Sequence, residues 1–145
     1  MELDKIIKSL KYVPNIWTAL SYPLLLLISL TLFFGRNFEN IRIDSLLKVM
    51  PDFYNHISNF SLCFIIYITI GYVGVMFGMT FKHIIIIGIF ILFLNLIIEL
   101  LIPFLNTPDK TDAVFGILGV LLGFVFLCII KNYGLKNNKL SQVSG

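Results

Sequence analysis

Asp52 and His56 stand four residues apart, as do Asn95 and Glu99, and Asp109 and Asp112 stand three apart. The two four-residue pairs each share one face of a helix, so each presents its polar groups together. A histidine within reach of carboxylates can move a proton, the basis of general acid–base catalysis. The same groups can hydrogen-bond the polar head of a ligand. Their placement gives them weight. Asn95 and Glu99 close one apolar run, a polar turn carries Asp109 and Asp112, and Gly116, Gly119 and Gly123 open the next apolar run. A carboxylate beside hydrocarbon costs free energy unless it is paired, neutralised or facing water.

The elements that must position these groups follow from run length. Of the 145 residues, 58% are hydrophobic and 13% charged, and mean hydropathy is +0.93. Four apolar stretches, 16–34, 57–79, 84–102 and 113–131, approach or exceed the ~20 residues a helix needs to cross a bilayer. They predict a single all-α domain, an integral membrane four-helix bundle with no room for a sizeable soluble domain. Gly35-Arg36-Asn37 after the first run is no small-x-small cleavage site, so that span is expected to stay.

Leu3, Ile6, Ile7 and Leu10 recur at helical spacing with Glu2, Asp4, Lys5, Lys8 and Lys11 opposite. This pattern predicts an amphipathic interfacial helix over 1–12. Trp17 and Tyr22 are expected at the headgroups, and His83 at the interface. Gly74 and Gly78 form a small-xxx-small pair, and Gly116, Gly119 and Gly123 a second small stripe, which predicts close helix approach. Cys63 and Cys128 fall in opposite leaflets, too far apart for the Cα separation of about 7 Å that a disulfide allows, so both are expected as free thiols. The tail from Lys131 is polar and expected to be mobile.

Orientation follows from lysine and arginine. Lys5, Lys8, Lys11, Lys82, Lys131, Lys136 and Lys139 share one side, against Arg36, Arg42, Lys48 and Lys110 on the other. The bias predicts cytoplasmic termini. Asp52, His56, Glu99, Asp109 and Asp112 then converge on the outer face, with Glu99 central, His56 and Asp112 its nearest polar partners, and His56 or Lys110 its candidate cation. The composition carries no basic, aromatic-interleaved patch for nucleic acid. No zincin-type or cysteine-ligand spacing occurs, and neither a phosphate loop nor a nucleophile elbow, so no metal or cofactor is expected.

These elements, in this order, resemble the VanZ-like family of small bacterial integral membrane proteins. That family shows Asp-Lys-x-x-His-Phe opening a span, Glu-Leu-x-Gln closing one, a turn with Arg and Asp-x-x-Asp, then Asn-x-x-Gly-x-x-x-Gly. Here Asp52 and His56 keep the first spacing, Glu99-Leu100-Leu101 matches the second element, and Asp109-x-x-Asp112 leads to Gly116, Gly119 and Gly123. The resemblance covers residues 15 to 131. Phe53 stands where the family has lysine, Ile102 where it has glutamine and Gly116 where it has asparagine, and the 103–112 turn lacks arginine.

The resemblance implies a multi-pass protein of the bacterial cytoplasmic membrane, linked to tolerance of teicoplanin-type lipoglycopeptides. On that expectation the outer polar cluster binds a lipid-linked cell-wall precursor or a lipoglycopeptide, with the bilayer as its other partner. The alternative is an enzyme on a lipid-linked substrate, with Glu99 or Asp112 as base and His56 as acid.

Overall fold

A computed structural model describes residues 7–101 and 109–139. Its long helices are α1 (Ile16–Phe34), α3 (Phe53–Met76), α4 (Phe81–Leu101) and α5 (Lys110–Ile129), with a short α2 (Asp44–Val49) in the connection after α1. All four long helices are long and apolar enough to cross a membrane, and the chain is a multi-pass membrane protein built as an all-α four-helix bundle. In hydrocarbon no water satisfies backbone N–H and C=O groups, so helices that close their own hydrogen bonds are the available solution. The first span matches its expected bounds. The other three begin three or four residues before theirs, because polar residues such as His56 and Asp112 join the first turns.

α3 is the central helix and packs most extensively on α5, while α1 leans on α3 and α4 on α5. The sequence explains the main contact. α3 buries Ile57, Ser61, Phe64, Ile68, Gly71 and Val75, and α5 buries Ala113, Gly116, Gly119, Gly123 and Leu127. Both stripes run at three- and four-residue steps, and small residues on α5 receive large ones from α3. At Gly119 an added Cβ would overlap the Phe60 carbonyl and lie 3.2 Å from the Phe64 nitrogen, so backbone meets backbone there.

The other expected stripe has a different role. α3 ends at Met76, and Gly78 lies in the following turn at φ 95°, a left-handed conformation that favours glycine. An added Cβ at Gly74 would strike Met79 of that same turn. The Gly74–Gly78 pair therefore shapes the turn into α4 and does not pack helix on helix.

Two segments differ from expectation at the end of the bundle that holds the termini. Residues 1–6 of the expected interfacial helix lie outside the described residues. Residues 7–9 are helical, but Tyr12–Pro14 is a strand, β1, paired antiparallel with β2 (Leu135–Asn137). α5 continues through a π-helical turn, Ile130–Gly134, into β2. Asn138 then donates from its side chain to the carbonyls of Ile7 and Leu10 at 2.7 and 2.9 Å. The start of the tail is thus clasped to the N-terminal segment, because Asn138 satisfies carbonyls left open where the short helix stops. Tyr22 also turns inward. It stacks on Tyr72 with centroids 4.0 Å apart and donates to Thr69 Oγ1 at 3.3 Å, fastening α1 to α3, while Trp17 remains exposed. His83 is exposed and pairs with Thr80 at 2.7 Å. Both cysteines are free.

Candidate functional site

The polar residues gather at the opposite end of the bundle, where α1 and α4 finish and α3 and α5 begin. α5 starts on a cap. Asp109 Oδ1 accepts from the Thr111 N–H at 2.7 Å, the usual way an N-cap carboxylate satisfies an open helical donor. That N–H, as the leading cause, holds the Asp109 carboxyl below the ordinary carboxylate range.

Asp112 sits three residues after the cap, where a capping box would send its carboxylate back to the Asp109 N–H. That N–H goes instead to the Glu99 carbonyl at 3.1 Å, tying the start of α5 to α4. The Asp112 carboxylate faces His56, with Oδ1 2.6 Å from Nδ1. Asp109 Oδ2 lies 3.7 Å from the same nitrogen. Both side chains of the His56–Asp112 pair are largely buried, 14% and 12% exposed, so the interaction is little screened by water. One ring nitrogen thus meets two carboxylates on neighbouring turns. When that nitrogen is protonated, Nε2 is the atom left to accept a proton.

Below the pair lies an amide ladder. Asn59 donates to the Asp112 carbonyl at 2.9 Å and to Asn95 Oδ1 at 3.2 Å. Asn95 donates to the Ala113 carbonyl at 3.0 Å, and Cys63 Sγ approaches its Oδ1 at 3.6 Å. α3 and α4 thereby stitch the first turn of α5. Gly116 makes room for this, since an added Cβ would overlap the Asn95 amide.

Three concavities surround these groups. A cavity of about 260 Å³ is lined by Phe33 and Arg36 from the end of α1, Ser58, Asn59 and Leu62 from α3, Ile98 and Glu99 from α4, and Asp112 from α5. A polar vestibule of about 540 Å³ is lined by Arg36, Asp52, Asn55, His56, Asp109, Thr111 and Asp112. A mostly apolar groove of about 180 Å³ runs between α3 and α4.

The five residues singled out in the sequence fall around these spaces. Asp52, His56, Asp109 and Asp112 line the vestibule, while Glu99, only 5% exposed, lines the cavity with Asp112. His56 lines the vestibule and not the cavity, so Glu99 and His56 flank Asp112 from two sides. Lys110 is exposed and lines neither space. The cation at both spaces is Arg36, which donates to Ser58 Oγ at 3.3 Å. Sequence reasoning used Arg36 for orientation and not for the site, and passed over Asn59. Asn59 carries a readable signal, lying three residues after His56 on its helical face. Arg36 carries none in spacing, because the fold of the 35–52 connection sets its position. Arg42 gathers that connection, donating to the carbonyls of Gly35 at 2.7 Å and Arg36 at 2.9 Å.

His56, Asp109 and Asp112 also offer ligand atoms within 4.8 Å of one another, a donor set that would suit a divalent cation. The short His56–Asp112 contact is equally the arrangement of a proton-sharing pair. Comparison with family models, with curated proteins and with solved structures returns no match.

Proposed function

We propose that this chain is an envelope protein of the bacterial cytoplasmic membrane, with its termini in the cytoplasm, that binds the polar part of a membrane amphiphile at its outer face. The ligand class is a lipid-linked cell-wall precursor or a lipoglycopeptide, consistent with the resemblance to VanZ-like proteins. One observation carries the reading. All four long helices contribute to a single cavity of about 260 Å³ holding Arg36, Asn59, Glu99 and Asp112. A bundle needs no such space for stability, and charged groups that converge on open space at the edge of a span mark a functional site by default. The volume lies just under the roughly 300–1,000 Å³ of typical small-molecule pockets, room for one compact polar group. Gly116 stands at the family's asparagine position, and the Asn95 amide fills the space beside it, so an amide is supplied there from the neighbouring helix.

The His56–Asp112 pair favours a second reading, acid–base chemistry on the bound headgroup. Asp112 orients the ring and His56 moves the proton.

Glu99→Gln tests the main reading, since it keeps shape and most hydrogen bonds while removing the charge. The variant is expected to insert and fold yet reproduce the envelope phenotype of a deletion, scored as teicoplanin susceptibility and binding of lipid-linked precursor in nanodiscs. Wild-type behaviour of Glu99→Gln, with misfolding of Glu99→Leu, would reduce the residue to a helix clamp. A cysteine at Asn37 should react with an impermeant thiol reagent in intact cells. Reaction only after permeabilisation would put the site in the cytoplasm.

A further inference from the structure

The cavity and the α3–α4 groove are one continuous surface. Asn59, Leu62, Ile98 and Glu99 line both. From that shared rim the groove descends past Cys63, Leu94 and Asn95 to Ile66 and Ile91. Glu99 to Ile91 is about 12 Å along the helix, toward the middle of the span. The groove exists because α3 and α4 contact each other less than either contacts α5. Leu62, Ile66 and Leu94 on its walls remain exposed, so it opens sideways to lipid. A polar cavity above an apolar slot fits a molecule that is polar at one end and hydrocarbon at the other.

The linings also select the head. Asp52, Asp109 and Asp112 stand in the vestibule against Arg36 and His56, and Glu99 adds a further carboxylate in the cavity. Ionised carboxylates only accept hydrogen bonds. A ligand head placed beside them is favoured when it brings donors, as sugar hydroxyls and amides do, while Arg36 supplies donors in return. An ionised phosphate brings acceptors only and meets like charge. Such repulsion is a physical means of rejecting the wrong partner, here the phospholipids that surround the protein.

We infer that the site takes a glycolipid-type amphiphile, with an uncharged hydroxyl- or amide-bearing head in the cavity and its hydrocarbon chain in the α3–α4 groove, reached sideways from the bilayer. The inference rests on the proposed headgroup function and narrows its ligand class to amphiphiles with no phosphate between chain and head, which keeps the lipoglycopeptide and sets aside a phosphate-linked precursor. The part of the ligand that meets Glu99 and Asp112 is a sugar or amide and not a phosphate.

The test uses two photoreactive probes of equal chain length, a dodecyl glucoside and a dodecyl phosphate, each with a diazirine at the chain end, on the full chain in lipid nanodiscs. The glucoside is expected to label the segments holding Leu62–Ile66 and Ile91–Leu94, and the phosphate about tenfold less, a difference of ~1.4 kcal/mol. Ile66→Trp, which fills the groove, should cut glucoside labelling there by a similar factor. Equal labelling by both probes overturns the head class. Glucoside labelling that Arg36→Ala and Glu99→Gln abolish, but that falls on the lipid face of α1, overturns the groove and leaves the headgroup function standing. Labelling indifferent to Arg36→Ala and Glu99→Gln removes both.

Discussion

Replacing His56 by leucine is the sharpest probe of the site end. The substitution leaves the Asp112 carboxylate, 12% exposed as a side chain, without the ring nitrogen now 2.6 Å away. Removing one partner of a buried pair costs about 3–5 kcal/mol. The pair is not wholly sealed, since the vestibule reaches it, so the lower end applies and ~3 kcal/mol is expected. Asp112→Asn keeps an acceptor toward Nδ1 and should cost about 1 kcal/mol, the size of a neutral hydrogen bond. A double-mutant cycle with His56→Ala and Asp112→Ala isolates the pair, and its coupling should lie in the 1.5–3 kcal/mol range of charge-assisted hydrogen bonds. The exposed Arg42–Glu39 pair, at 3.4 Å, is the internal control and should couple by no more than about 1 kcal/mol. Unfolding titrations in mixed micelles, followed by circular dichroism, give all the values. A His56–Asp112 coupling below about 0.5 kcal/mol would mean that water already separates the two groups, and the account of a preorganised pair would fail.

Gly119→Ala should destabilise by about 1–3 kcal/mol, the usual cost of overpacking, because its new Cβ meets Phe60 and Phe64 backbone. Gly123→Ala meets side chains of Tyr67 and Ile68 at 3.0 and 3.3 Å, which can yield, so its cost should be clearly smaller. Equal melting temperatures for the two variants would remove the special role of the backbone contact. The Asp109 carboxyl titrates below its ordinary value of 3.8. Its support for the start of α5 is therefore full above that value and lost as pH falls through the lower folded one. Asp109→Asn should flatten that part of the acid limb of the stability profile, and an unchanged acid limb would show that the cap does not report through this group.

What was legible in the sequence was what a single helix determines. Run length set the four spans, and four-residue spacing put Asp52 with His56 and Asn95 with Glu99. Alternation of direction put these pairs at one end. The misreadings were of contacts that a helix cannot determine alone. Gly74 and Gly78 look like a packing pair until α3 stops at Met76 and leaves Gly78 in a turn. Lys131 to Asn138 look like a free tail until Tyr12–Pro14 supplies a strand to pair with. Arg36 entered the site only because Arg42 folds its connection back on α1, a contact with no periodic trace in the chain.

The same network separates polar residues that the fold needs from those it does not. Asn59 and Asn95 each bond a carbonyl in the first turn of α5, and they bond each other. Amides so fully used are a clamp, and in hydrocarbon a clamp is reason enough for an asparagine to be there. Asp109 is accounted for as a cap. Asp112 is half accounted for, since its carbonyl serves the ladder while its carboxylate serves His56. Arg36 is different in kind. Its bond to Ser58 Oγ is long at 3.3 Å, and its side chain stands at the boundary of both spaces. Beyond the clamp and the cap stand the charged groups that meet open space, namely Arg36, His56, Glu99 and the carboxylate of Asp112. They border the cavity and the vestibule in which a ligand would lie, and they come from all four long helices or their ends. A bundle held together only by its asparagine ladder and glycine stripe would place no such demand on four separate elements. The convergence of these charged groups on open space is what the proposed binding site has and a plain helix junction lacks.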